Sequence, residues 1–155
     1  MEKKYIVLDT ETTNSLDDPI AYDIGFAVID EYGTVYETYS YVIADVFLDK
    51  DLMASAYFAD KIPQYWEDIK KGTRKLVKLN TARMILKKVM ERYNTNIVIA
   101  HNARFDYRSL STTQRFLTDN IDFIESHTGL EDVLIEKEIF VFCMKCGVND
   151  GRLWK

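Results

Sequence analysis

Ile24–Ile43 reads IGFAVIDEYGTVYETYSYVI, with Glu31-Tyr32-Gly33 between its two halves. Ile24 to Ile29 is a short apolar run, and Val35 to Ile43 carries unlike residues on its two faces. A period of two on either side of a glycine-bearing turn predicts a β-hairpin. Upstream, the run KYIVL from Lys4 to Leu8 predicts a strand, with Asp9 directly after it. Downstream, Asp49 to Lys71 is apolar but interrupted by Pro63, and predicts two short helices. Thr81 to Tyr93 predicts a helix with Met84, Ile85, Val89 and Tyr93 on its apolar side and Arg83, Lys87 and Lys88 elsewhere. IVIA, from Ile97 to Ala100, follows as a short buried strand, and Asn102 can cap a helix running to about Phe116. A last helix is predicted from Thr128 to just before Gly147, a C-terminal cap. A hairpin followed by helix–strand–helix units predicts an α/β fold with a mixed sheet.

The 155 residues fit one domain, 1–155, and 47% of them are hydrophobic, enough for a real core. No apolar run approaches the roughly 18 residues a membrane helix needs. The apolar run at the start breaks at Asp9, too early for a secretory signal. The expectation is a soluble intracellular protein without a membrane partner. Cys143 and Cys146 form a lone CxxC, with neither a second cysteine pair nor a histidine pair to complete a zinc site. The net charge is −5, yet Lys61 to Arg92 holds ten Lys/Arg against three acids. A basic segment on an acidic chain suits an enzyme that holds phosphate on one side and metal ions on the other; a solvated helix face is the plainer alternative.

Three places carry carboxylates that can meet. In Asp9-Thr10-Glu11-Thr12-Thr13, residues two apart in an extended chain point the same way, so Asp9 and Glu11 can share an ion. In His101-Asn102-Ala103-Arg104-Phe105-Asp106, the acid falls in the first turn of the capped helix, just after a strand. Ligand crevices of open α/β sheets form at the carboxyl ends of strands, so Asp9 and Asp106 lie side by side if their strands are parallel neighbours. In His127-Thr128-Gly129-Leu130-Glu131-Asp132, Thr128 and Glu131 form a capping box. His127 and Asp132 then occupy the two positions that meet in a hydrophobic staple, which brings a base beside a carboxylate. Four acids gathered without cations would repel one another, and bound metal ions make such a cluster tolerable. Two ions about 4 Å apart, with a base of near-neutral pKa, form a device for in-line attack on phosphate.

LDTETT, HNARFD and H-x-x-x-x-D, in that order, resemble the three motifs of the DnaQ-like DEDDh exonuclease family, over Tyr5 to about Phe142. The family includes the proofreading subunit of bacterial DNA polymerase III, ribonuclease T and oligoribonuclease, and similar proteins occur in bacteriophages. The resemblance implies an RNase H-like three-layer α/β/α fold with a mixed central sheet. It implies a cytoplasmic 3′–5′ exonuclease, in a bacterium or phage-infected cell, that uses two Mg²⁺ (Mn²⁺ able to substitute) and releases 5′-mononucleotides. Asp9, Glu11, Asp106 and Asp132 would be the metal ligands, His127 the base, and Thr12, Thr13 and Asn102 substrate-side residues. The partners implied are a single-stranded DNA or RNA 3′ end, DNA more than RNA, and a polymerase or other replication protein. Gly129 stands where the family usually has alanine. Asp106 and His127 are 21 residues apart, a shorter interval than in relatives, so the fold is expected to be abbreviated there. A helix to Phe116 spans about 22 Å and ten further residues reach at most about 35 Å, enough to bring His127 back. The shortening keeps open a weakened binding module with the same fold; an RNase H-like endonuclease fits the His–Asp pair less well.

Overall fold

The structure is a computed structural model and describes residues 2–119. The hairpin forms as expected, from β2 (Pro19–Asp30) and β3 (Val35–Ile43). Its turn is held by Asp30, whose Oδ1 accepts the Tyr32 and Thr34 N–H groups at 2.9 Å, with Gly33 at φ +84° where a side chain would be strained. β1 (Lys4–Asn14) pairs antiparallel with β2 and runs six residues beyond the expected end at Leu8. Polar residues continue it because the partner strand supplies a ladder for them, which a single strand's apolar run cannot reveal.

Two short strands flank this meander. β5 (Val98–Ile99) lies parallel to β1, and β4 (Lys75–Val77), which the sequence reading did not anticipate, lies parallel to β3. The order is β4-β3-β2-β1-β5, a mixed five-stranded sheet. Parallel neighbours need crossovers, and helices supply them. Between β3 and β4 the chain forms α1 (Ala44–Phe47), α2 (Lys50–Met53), a 3-10 turn (Ala59–Lys61) and α3 (Ile62–Lys71). Pro63 lies at the start of α3, where its missing N–H costs nothing, and so begins the helix instead of breaking it. α4 (Leu79–Arg92) then crosses from β4 to β5, and α5 (Ala103–Asp119) follows β5.

α4 begins two residues earlier than expected and buries Leu79, Ala82, Leu86 and Val89, a stripe at helical spacing. Met84, assigned to the apolar side from sequence, is 58% exposed; starting at Leu79 gives the helix a better apolar face one side over. The core joins this stripe to Ile6, Leu8, Ile24, Phe26 and Val28 of the sheet. An aromatic group, Tyr22, Phe47, Tyr65 and Trp66, with ring centres 5.1–6.3 Å apart, anchors the 44–71 segment. The arrangement is α/β and compatible with three layers. Among the described residues no helix is long and apolar enough to cross a membrane. The predicted helix from Thr128, its capping box and the CxxC lie outside the described residues.

Candidate functional site

Alternation along β1 sorts its side chains onto two faces. Ile6, Leu8 and Thr10 are buried on one, while Asp9 is exposed and Glu11 half-buried on the other. On β2, Asp9 faces Gly25 and Glu11 faces Asp23. Just past Glu11 the register slips by one, because Tyr22 has no counterpart on β1. Asp9, Glu11, Asp23 and Gly25 line a cavity of about 270 Å³, together with Phe58, Lys61, Tyr65 and Arg74.

Asp23 is tied down from the helical side. Its Oδ2 accepts the Tyr65 hydroxyl at 2.5 Å and Arg74 Nη1 at 2.7 Å. Arg74 also donates from Nε to Asp68 Oδ2 at 3.1 Å and lies 4.2 Å from the Tyr65 ring centre. Local sequence explains how Arg74 arrives there: Gly72 ends α3 in the left-handed conformation (φ +78°), and the next two N–H groups close on the Asp68 carbonyl. Asp23 Oδ1 and Tyr22 Oη are buried without hydrogen-bond partners among the described residues.

α5 brings the second motif to the same place from the other face of the sheet. β1 and β5 are parallel neighbours, and both acids follow the last paired residues, Val7 and Ile99. Asn102 Oδ1 accepts the Phe105 N–H at 3.4 Å as the N-cap. Asp106, 3% exposed, does not point into the acidic cavity: its Oδ1 accepts the Thr10 N–H at 3.0 Å and the Thr10 hydroxyl at 2.7 Å. Ser109 completes the contact, 3.0 Å from Thr10 Oγ1. The inward face of α5 is thus largely polar and satisfied, and Thr113 Oγ1 likewise accepts the Ala21 N–H at the bulge, at 2.7 Å. Thr10→Val keeps the shape and removes one bond to a buried carboxylate. It is expected to cost about 2 kcal/mol, measured by urea denaturation; a loss below about 0.5 kcal/mol would show the contact to be dispensable.

The electrostatics follow from this crowding. Burial raises the Glu11 carboxyl above its ordinary range, and the charges of Asp9 and Asp23 add to it, against Lys61 and Arg74. Burial also raises Asp23, opposed by Tyr65 and Arg74. Asp106 is raised by burial and by Asp9, opposed by its bonds from Thr10. Burial, with the charge of Glu11 beside it, pushes the Tyr22 phenol up to about 12. A carboxyl whose folded pKa exceeds its unfolded one destabilises the fold above the folded value, and the penalty disappears as pH falls to the unfolded value. Glu11→Gln is therefore expected to raise the melting temperature in EDTA at pH 7.5, with the gain vanishing near pH 4. A gain of equal size at both pH values would assign it to something other than charge.

Of the residues selected from sequence, Asp9 and Glu11 share the cavity, and Asp106 lies behind them within reach of the Asp9 charge. Thr13, 1% exposed, donates to the Leu52 carbonyl and lies 3.0 Å from Ser55 Oγ; Thr12 is half-buried, its carbonyl accepting the Tyr57 N–H at 3.4 Å. His127 and Asp132 lie outside the described residues, and among the described ones no three ligating side chains converge closely enough to hold a metal ion. The basic segment is dispersed: Lys61 and Arg74 face the cavity, whereas Arg92 pairs with Glu37 and Lys71 with Glu67. Two aromatics lie nearby: Phe58 lines the cavity, and Trp66 packs on Phe47. Sequence reading missed Asp23, Tyr65, Lys61 and Arg74 as neighbours of the acids. The polar turn Ser15-Leu16-Asp17-Asp18, which closes β1 onto β2, was the signal that could have found Asp23. No protein-family model, curated protein or solved structure matches the chain.

Proposed function

We propose that the protein is a metal-dependent 3′–5′ exonuclease of DnaQ-like DEDDh type, with an RNase H-like fold abbreviated between its second and third motifs. It would act on single-stranded ends, DNA more than RNA, in the cytoplasm and beside a polymerase or other replication partner. The observation that carries this reading is the meeting of the first two motifs: Asp9 and Glu11 project from one face of β1 while Asp106 grips Thr10, the residue between them, from the other.

The donor set fits Mg²⁺ or Mn²⁺ in its chemistry. Asp9 and Glu11 offer hard carboxylate oxygens on one wall of the cavity, and no cation among the described residues pairs with either of them. Asp9, Glu11, Asp106 and Asp132 would hold two ions. When bound, such ions stabilise charge on the phosphate and lower the pKa of the attacking water. The chain's own part is to hold and orient. The bonds from Thr10 fix the backbone carrying both cavity acids, and the clamped Asp23 keeps its charge beside Glu11 without competing as a flexible ligand. His127 would take the proton from water, a role suited to its near-neutral pKa.

The test uses 5′- and 3′-labelled single-stranded oligonucleotides, DNA and RNA, with Mg²⁺ or EDTA. A ladder from the 5′-labelled strand and immediate release of the 3′ label as mononucleotide are expected, both abolished by EDTA. Cleavage that ignores EDTA would remove the metal-dependent reading. The short interval of 21 positions from Asp106 to His127 favours a second reading, a weakened nucleic-acid- or polymerase-binding module that keeps the fold. Binding of the oligonucleotide without cleavage in Mg²⁺ or Mn²⁺ would select it.

A further inference from the structure

The cavity is acidic on its strand side and basic on its helix side, and its two cations are held differently. Arg74 is immobilised by Asp23, Asp68 and the Tyr65 ring through Nη1, Nε and its flat face. Those contacts leave Nη2 with no acceptor among the described residues, on a side chain that lines the cavity. Lys61 is the opposite case. It is exposed, its Nζ lies 4.1 Å from the Phe58 ring centre, and no carboxylate among the described residues comes within 4 Å of it. Three acids share this cavity, yet Lys61 pairs with none of them. Moreover, α3 begins here: Lys61 is its N-cap, makes no side-chain capping bond, and Gln64 of its first turn also lines the cavity. The positive end of a ten-residue helix thus adds to the two cations.

We propose that Lys61 and Arg74, with the start of α3, form an anion-binding wall that takes a phosphate group of a nucleotide; that the anion is a nucleotide's rests on the nuclease reading. A fixed guanidinium edge beside an exposed ammonium suits a tetrahedral anion with several acceptor oxygens. Asp9, Glu11 and Asp23 outnumber the two cations, so an anion enters this cavity at a cost unless a divalent ion enters too. Phosphate and metal ion therefore bind with positive coupling, each strengthening the other by the same factor. The wall also accounts for the part of the basic segment that meets the acids: only Lys61 and Arg74 of it line the cavity.

The experiment is calorimetric titration of thymidine 5′-monophosphate, inorganic phosphate and thymidine into the full chain, in Mg²⁺ and in EDTA. Wild type is expected to bind the monophosphate, to bind inorganic phosphate more weakly and to ignore thymidine, with affinity lower by about tenfold in EDTA. Lys61→Met, a change at an exposed side chain, should weaken the monophosphate by about tenfold in Mg²⁺. Arg74→Lys, which keeps the charge and loses the fork, should weaken it by a similar factor, in protein shown folded by circular dichroism. Equal affinity of wild type and Lys61→Met would overturn the wall, as would thymidine binding as tightly as its monophosphate, or no binding of any probe. Mn²⁺ binding, followed by electron paramagnetic resonance, separates this proposal from the one beneath it. If Mn²⁺ binds and Asp9→Ala abolishes it, yet phosphate affinity ignores Lys61, the wall fails and the nuclease reading stands. If Lys61 governs phosphate affinity although Mn²⁺ does not bind, the wall stands and the nuclease reading fails.

Discussion

Asp9→Ala is expected to lower oligonucleotide turnover by at least about a thousandfold while leaving the fold intact. The two halves of this expectation have separate physical sources. Asp9 is exposed on β1 and takes part in no side-chain hydrogen bond or ion pair among the described residues, so its removal breaks nothing in the core. It also relieves charge, because Asp9 contributes to raising both Glu11 and Asp106. The melting temperature in EDTA should thus stay level or rise slightly. Activity, by contrast, would lose one of the proposed metal ligands. Label release and a thermal melt on the same preparation decide the matter. Turnover within tenfold of wild type would remove Asp9 from the chemistry, and a large fall in melting temperature would make the activity loss uninformative about metal.

Arg74→Met is the second large effect, and it falls on stability. Asp23 has a side chain 10% exposed, and Arg74 is its cationic partner. Methionine would fill much of the space over the Tyr65 ring but leave the carboxylate with one hydroxyl donor. Removing one member of a buried pair is costly because the other charge remains; about 3 kcal/mol is expected, the lower end of the usual range because the Arg74 side chain is 28% exposed. Loss of the Asp68 contact adds little, since that carboxylate is more open to solvent. The double variant Asp23→Asn/Arg74→Met should lose clearly less than the two single losses combined, because the stranded charge is gone. Urea denaturation of all four proteins measures this. Strict additivity, or a single-variant loss below about 1 kcal/mol, would mean that the pair carries little.

The sequence made the hairpin and the step from a short buried strand into α5 legible, because each rests on short-range pattern. Alternation marks β3, Asn102 marks the start of α5, and IVIA can be little else than a strand beside another. What it concealed depends on pairing. The run Asp9–Asn14 has no apolar alternation to mark it as a paired strand until β2 is laid against it, and only that register places Asp23 opposite Glu11. β4, three residues long, has no period to detect and exists because β3 offers an edge. The pair Asp23–Arg74 spans 51 positions and depends on the left-handed end of α3. Met84 was misassigned for a related reason: two adjacent stripes of one helix are both apolar, and only the sheet decides which is covered.

Tyr22 is the one residue by which β2 outnumbers β1 along their ladder. Excising it would leave Ala21, Ile20 and Pro19 opposite Thr12, Thr13 and Asn14 and merely straighten the ladder. The cost would fall elsewhere, because the lost ring is the sheet's own contribution to the contacts with Phe47 and Tyr65. A single missing codon, silent in charge, would then unmoor the helices of the 44–71 segment from the strands beneath them.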